Sequence, residues 1–392
     1  MATTHQRPKH ATEETAEAAL WVNALLRWFD RHQRWMPWRE CATPYRVWVS
    51  EIMLQQTQVA AVIPYFERFM AEFPTLRALA RADLQEVLKA WQGLGYYARA
   101  RHLHGAAQDV EAGGGGLPTS AAALARLPGV GAYTAAAIAS ICFKEAVPVV
   151  DGNVLRVFAR FWGLEEDVRS ARMRRALSDR LAPLVPQDRP GDFNQAIMEL
   201  GAVVCRPRGP DCPSCPLKSA CSAYGSGRVD ALPVRVRRSP VPHYDIAVGI
   251  VRRRGRVLVA RRRADAMLGG LWEFPGGKRR PGETLPAACR REIREETGLR
   301  VGVGKPLGVV SHAYSHFRVT LHIFACEAPD GRARALASDE LRWCRPGELD
   351  TLPFPAANVR VIELIRTASG KWRRASRPRA GFPARKKAEL GS

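Results

Sequence analysis

No apolar run in this 392-residue chain approaches the roughly 20 residues that a helix needs to cross a bilayer. No apolar h-region follows a basic start at the N-terminus, so a secretory signal is not expected. Acidic residues are scarce: 38 Asp and Glu stand against 60 Lys and Arg, giving a formal charge of +22. Such an excess points to a polyanionic partner, most often nucleic acid, although solubility or an arginine-rich genome accounts for part of it. There is no disulfide framework either. Five of the nine cysteines (Cys41, Cys142, Cys289, Cys326 and Cys344) are scattered, which fits a reducing cytoplasm. The expectation is a cytoplasmic, nucleoid-associated bacterial monomer with no membrane partner.

The length suits two domains. Residues 1–15 are polar and expected to be loose. From residue 16 to 225 the pattern is helical, with amphipathic stretches at Ala16–Arg31, Tyr45–Gln56, Val62–Glu72, Leu84–Trp91, Ala98–Ala112, Tyr133–Phe143, Asn153–Phe161, Ala171–Leu184 and Phe193–Val204. Residues 226–243 are rich in Pro, Arg and Val with no helical period, and read as an interdomain linker. Beyond them, Tyr244–Val251, Arg256–Arg261 and Val319–Cys326 read as strands, and Leu285–Thr297 reads as a helix. Residues 244–368 therefore form an α+β module. Residues 369–392 are basic and without apolar pattern, either a salt-sensitive DNA-binding tail or an inert solvated end.

Four cysteines are clustered: Cys205, Cys212, Cys215 and Cys221, spaced C-x6-C-x2-C-x5-C. That spacing does not suit the paired knuckles of a structural zinc site. It suits a cubane 4Fe–4S cluster held by one loop, residues 205–221. Upstream, Leu127–Gly131 (LPGVG) lies between helical segments. Gly129 and Gly131 allow a tight turn that aims backbone N–H groups at a phosphate. Asp151 follows 20 residues after Gly131, at the start of a helix, where it can act as N-cap and as catalyst.

The hairpin, the following Asp and the cysteine loop together resemble the helix-hairpin-helix DNA glycosylases of the endonuclease III superfamily. Val49–Gln58 (VSEIMLQQTQ) and Gly93–Arg99 (GLGYYAR) further resemble the MutY-type adenine DNA glycosylases, with a match running from about Trp28 to Tyr224. The resemblance implies removal of adenine mispaired with 8-oxoguanine, or with guanine, in double-stranded DNA. It gives Glu51 the role of general acid and later activator of water, and makes Asp151 the ionised partner of the sugar cation. Tyr133 is placed near both and Asn153 helps hold the site. Glu51 also follows a physical logic: flanked by Ile52, Met53 and Leu54, it would be partly buried and its pKa raised. Two carboxylates in different environments are what N-glycosidic cleavage needs. The extruded base leaves a gap that the resemblance fills with Gln55 and Tyr96, and the flanking Gly95 and Arg99 suggest a DNA-facing loop. Arg206 and Arg208, between the first two cysteines, can reach phosphates. Bifunctional relatives carry lysine where this chain has Tyr133, and some MutY-type enzymes carry one at the position of Leu155. Neither residue here can form an imine, so a monofunctional enzyme is expected.

In the second module, Gly277 to Leu299 fits G-x5-E-x7-R-E-U-x-E-E-x-G-U at every fixed position, which is the Nudix box. Glu292, Glu295 and Glu296 fall at i, i+3 and i+4, on one helix face that can hold Mg²⁺. MutY-type enzymes usually carry this box eroded and use the domain to recognise 8-oxoguanine. Three readings stay open: lesion recognition alone, added hydrolysis of oxidised nucleoside triphosphates, or a relic. The loop His312–His316 (HAYSH) resembles the family's lesion reader, with Tyr314 packing beside the oxidised base and Ser315 and His316 hydrogen-bonding it. Rival readings are a thymine or oxidised-pyrimidine glycosylase, a nucleotide-pool hydrolase with a DNA-binding module, and a non-catalytic lesion sensor.

Overall fold

The structure is a computed structural model that describes residues 9–234, 240–328 and 331–372. The chain divides into two compact units, Met1–Ser239 and Pro240–Ser392. Among the described residues no helix is long and apolar enough to cross a membrane.

The first unit is helical. One core joins the Lys9–His32 helix, through Trp21, Leu25 and Phe29, to Val154, Phe158 and Phe161 of the Gly152–Phe161 helix and to Phe193, Ile197 and Leu200 of the Pro190–Val203 helix. Trp48, Phe66, Phe69 and Trp91 are fully buried elsewhere in the unit, with Phe69 and Trp91 meeting edge to face at 5.8 Å. The Pro44–Leu54 helix begins with proline after the N-cap Thr43 and buries eight of its eleven residues. It packs against the Ala132–Phe143 helix, whose alanines permit close approach. Gly191 lets the Pro190–Val203 helix approach closely too, since a Cβ there would lie 2.7 Å from Ile141 Cα. A Cβ at Gly201 would lie 2.7 Å from Asn153 Cβ, so that glycine admits the start of the Gly152–Phe161 helix. Four helices thus converge around one cleft.

The second unit is a mixed sheet between two helices. Its strands are β1 His243–Arg253, β2 Arg256–Arg262, β3 Trp272–Glu273, β4 Gly276–Lys278, β5 Gly302–Ala313, β6 Arg318–Glu327 and β7 Ser338–Cys344. The order is β3-β2-β1-β6-β5, with β4 on β1 and β7 on β2. Among the described residues only β1 and β6 pair in parallel, for example Ile246 with Leu321. Strand alternation sends Ala247 and Val251 to Cys289 and Ile293 of the Leu285–Thr297 helix. It sends Val248 and Ile250 to Val361 and Ile365 of the Ala356–Trp372 helix.

Several boundaries differ from expectation. The first helix begins at Lys9, inside the stretch expected to be loose, and residues 1–8 lie outside the described residues. The first part of the expected linker 226–243 is not a free tether, because Val229 O and Leu232 O accept from Arg160 Nε at 3.0 and 2.9 Å. Residues 235–239 lie outside the described residues. The last helix runs to Trp372, carrying the pattern four residues into the expected basic tail, and residues 373–392 lie outside the described residues. The short strands β3 and β4 and the strands β5 and β7 were not read from the sequence. Tertiary pairing makes them, and their own patterns are too short or too interrupted by glycine to show it.

Candidate active site

Glu51, Tyr133, Asp151 and Asn153 line one cleft of about 770 Å³, with Arg39 and Glu199 also in its wall. Glu51 sits on the buried Pro44–Leu54 helix and is 5% exposed. Tyr133, in the first turn after the hairpin, donates its hydroxyl hydrogen to Glu51 Oε2 at 2.9 Å. Burial pushes the Glu51 carboxyl up to about 7. The charge of Asp151 adds to that effect, while the Tyr133 hydrogen bond and Arg39 oppose it. Near neutral pH a large fraction of Glu51 therefore carries a proton it can give away.

Asp151 caps the next helix. Its Oδ1 accepts from the backbone N–H of Asn153 at 2.8 Å and of Val154 at 2.7 Å, and its Oδ2 accepts from Asn153 Nδ2 at 2.9 Å. Burial raises its pKa, against the lowering effect of these hydrogen bonds and of Arg156. The two carboxyls therefore have different surroundings, one held by a phenol and one by a helix N-terminus.

Tertiary pairing, and no sequence motif, sets the basic wall of the cleft. Glu199, with a 2% exposed side chain, accepts from Arg34 Nε at 2.5 Å and from Arg39 Nη2 at 3.2 Å. Burial pushes its carboxyl up, but the two arginines outweigh burial and leave it below the ordinary range. A signal was present, since Glu199 stands between Met198 and Leu200 in an otherwise apolar stretch.

Gln55 and Tyr96 do not line this cleft. Gln55 Nε2 donates to Thr134 Oγ1 at 3.1 Å, which ties it to the hairpin's following helix. Tyr96 is 39% exposed, with a left-handed backbone at φ 52°. Arg99 is 8% exposed. Its guanidinium donates to the carbonyls of Ile52, Met53 and Gln55 at 3.0, 2.7 and 2.6 Å, closing the C-terminal end of the Glu51 helix. In the hairpin, Gly129 has φ 75°, and a Cβ there would lie 2.6 Å from His102 Cβ, so the turn requires glycine. Gly131 N-caps the Ala132–Phe143 helix.

Cys205, Cys212, Cys215 and Cys221 line a single separate cavity with Arg160 and Leu217. Burial above all pushes the Cys215 thiol up to about 12. Two arginines one helical turn apart reach this loop. Arg160 Nη1 lies 3.3 Å from Cys205 Sγ, while Arg156 joins Cys205 O at 2.8 Å to Asn153 Oδ1 at 2.8 Å. Arg206 turns back on its own loop, donating to Gly209 O at 2.7 Å and Val203 O at 3.2 Å, while Arg208 is exposed.

In the second unit, Arg291 occupies the acidic face. It forms two 2.9 Å hydrogen bonds to Glu283 and reaches Glu292 at 2.6 Å and Glu295 at 3.0 Å. Arg291 holds Glu283 down to about 2. Burial pushes Glu296 up to about 8, with the charge of Glu273 adding and the Gly276 amide opposing. Gly277 lies against the Glu292 carboxylate, so a Cβ there would displace that side chain. Among the described residues no group of three or more His, Cys, Asp or Glu side chains is arranged to hold one metal ion. Tyr314 lies at the β5–β6 turn, 4.7 Å from Phe317 and 4.6 Å from His312 between ring centroids, with Ser315 and His316 exposed beside it.

A helical unit with a glycine hairpin, a buried acid and a capping aspartate, followed by a Nudix-type sheet, defines a base-excision DNA glycosylase with an added recognition or hydrolase fold. Residues 49–183 match the HhH-GPD superfamily of base excision DNA repair proteins, and residues 247–364 match the NUDIX domain. The mouse adenine DNA glycosylase is 36% identical over 98% of this chain and 85% of its own length. The human one is 35% identical over 97% of this chain and 81% of its own length. A solved thermostable thymine-DNA glycosylase is 29% identical, with TM-score 0.50, covering 54% of this chain and 99% of that one. The chain belongs to the adenine DNA glycosylases and acts in base excision repair.

Proposed function

We propose that this enzyme removes adenine paired with 8-oxoguanine or guanine in duplex DNA, by hydrolysis and without strand cleavage. The observation that carries it is the Tyr133–Glu51 hydrogen bond of 2.9 Å in a cleft shared with Asp151. The adenine leaves the stack and enters the cleft. Glu51, buried and partly protonated near neutral pH, protonates a purine ring nitrogen. Asp151, fixed by its three hydrogen bonds, faces the developing oxocarbenium ion. Glu51, now ionised, then activates water. Tyr133 keeps Glu51 in place and, lacking an amine, offers no imine route to strand cleavage.

Four thiols lining one cavity suit a multi-atom 4Fe–4S cluster. When bound, the cluster would supply the cationic centre that keeps four thiolates together. Arg156 links that loop to Asn153, and Arg160 holds Cys205 and Arg206 from one turn further along the same helix. The second unit is read as the reader of 8-oxoguanine, through Tyr314, Ser315 and His316. A second reading, hydrolysis of 8-oxo-dGTP at the intact Nudix box with Mg²⁺ held by Glu292, Glu295 and Glu296, rests on Gly277 closing directly on Glu292.

Single-turnover adenine release from duplexes with A opposite 8-oxoguanine, G, C and T tests the main reading. Release is expected with the first two only, and equal rates on all four would overturn the substrate assignment. Efficient borohydride cross-linking would overturn the hydrolytic one. For the second reading, Mg²⁺-dependent loss of 8-oxo-dGTP that disappears in Glu295→Gln and Glu296→Gln is required. Equal background in wild type and variants ends it.

A further inference from the structure

Asp151 has open space on two sides. One is the cleft with Glu51 and Tyr133. The other is a second cavity of about 510 Å³ lined by Asp151, Gly152, Asn153, Arg156, Arg169 and Arg174. The two spaces share Asp151, Asn153 and Arg156 as a common wall.

The second cavity is cationic. Three arginines face it, against Asp151 itself and Asp167, which pairs with Arg169 at 3.2 Å. Arg156 is committed to Asn153 Oδ1, Gly201 O and Cys205 O. Arg174, exposed on the Ala171–Leu181 helix, has no ion pair among the described residues. An arginine that lines the same cavity as the Asp151 carboxylate offers a charge that no ion pair among the described residues takes up.

We propose that this second cavity receives the phosphodiester next to the extrahelical adenosine, with Arg174 as its contact and Arg169 in support. The inference rests on the adenine occupying the Glu51 cleft. With the base in one space and the phosphate in the other, the deoxyribose must cross the shared wall, and its anomeric carbon meets Asp151. The placement also resolves an electrostatic difficulty. A phosphate drawn close to the Asp151 carboxylate is repelled by it, and Arg174 offsets that repulsion. Such a contact reads no sequence but fixes register at the reacting atom, where small misplacements cost rate.

The test uses A:8-oxoguanine duplexes in which the phosphodiester 5′ or 3′ of the target adenosine is an uncharged methylphosphonate. Wild type, Arg174→Ala and Arg174→Lys are compared in single-turnover adenine release. Wild type is expected to lose about tenfold on one of the two modified duplexes. Arg174→Ala should lose about the same on the unmodified duplex and nothing further on that modified one, while Arg174→Lys recovers part of the rate. The proposal is overturned if Arg174→Ala matches wild type on the unmodified duplex, or if the two losses multiply. Failure of the underlying base-cleft reading has a different signature, a Glu51→Gln variant that releases adenine at the wild-type rate.

Discussion

The two units each carry glutamates of apparent catalytic design, and their surroundings separate them. Glu51 is buried beside a phenol and a second carboxylate, with Arg39 acting only as a weak counterweight, and its pKa rises to about 7. In the second unit Arg291 binds Glu283, Glu292 and Glu295 together, and Glu283 falls to about 2. Burial without a cation close enough to offset it makes an acid that can donate at neutral pH. A shared arginine ties three glutamates to one another and holds the Glu283 carboxyl well below its ordinary range. Residue type alone does not tell the two apart. Glu296 stands between these cases: it is raised to about 8 by burial and by Glu273, on a helix otherwise governed by Arg291.

The sharpest way to break this comparison is to remove the proton donor proposed above. Glu51→Gln keeps size and hydrogen bonding but cannot protonate the purine, so adenine release should fall by about 10²–10⁴-fold while DNA binding persists. Asp151→Asn should lose comparably. Asparagine still caps the helix through its oxygen, so the hydrogen bonds to Asn153 and Val154 can survive and the loss would be chemical. In wild type, the single-turnover rate should fall as pH rises through about 7, the value to which Glu51 is pushed. A flat profile between pH 6 and 8.5 would remove Glu51 as the acid.

The site divides into parts that the sequence displayed and parts that it hid. Glu51, Tyr133, Asp151 and Asn153 stand in short motifs with fixed spacing, and the structure brings all four to one cleft. The helix Leu285–Thr297 was legible to the residue because its proline start, apolar stripe and Gly298 stop agree. Glu199 showed only as a lone charge in an apolar stretch, and its partners Arg34 and Arg39 were not legible. Their pairing joins positions 160 or more residues apart, and no local pattern marks it. The role of Arg99 at a helix end was not legible, because its immediate neighbours Ala98 and Ala100 carry no signal of it. Its partners are carbonyls more than 40 residues away, at the end of the Glu51 helix.

A Glu51→Gln variant also sharpens the comparison through stability. The folded carboxyl titrates near 7 and the unfolded one near 4.5. Between these values the unfolded chain ionises while the folded one stays protonated, so stability falls as pH rises from about 4.5 and levels off above about 7. The difference corresponds to about 3 kcal/mol lost at pH 8. Glutamine has no such titration, so Glu51→Gln should be more stable than wild type at pH 8, and the gap should close toward pH 4.5. Thermal melts at the two pH values check this. A variant no more stable at pH 8 would mean that the burial of Glu51 is relieved in solution.

The same substitution in the other unit should do far less, with the opposite sign. Glu295 has a half-exposed side chain and shares Arg291 with two other glutamates, at 3.0 Å in an i,i+4 pair. Removing its charge leaves Arg291 with its two bonds to Glu283 and one to Glu292. Exposed pairs contribute about 0.2–1 kcal/mol, less in salt. Glu295→Gln is therefore expected to lower hydrogen-exchange protection of the Leu285–Thr297 helix by under about 1 kcal/mol, and by less still at high salt. A loss above about 2 kcal/mol, insensitive to salt, would place Glu295 with Glu51 among the carboxyls set by burial and undo the distinction between the two units.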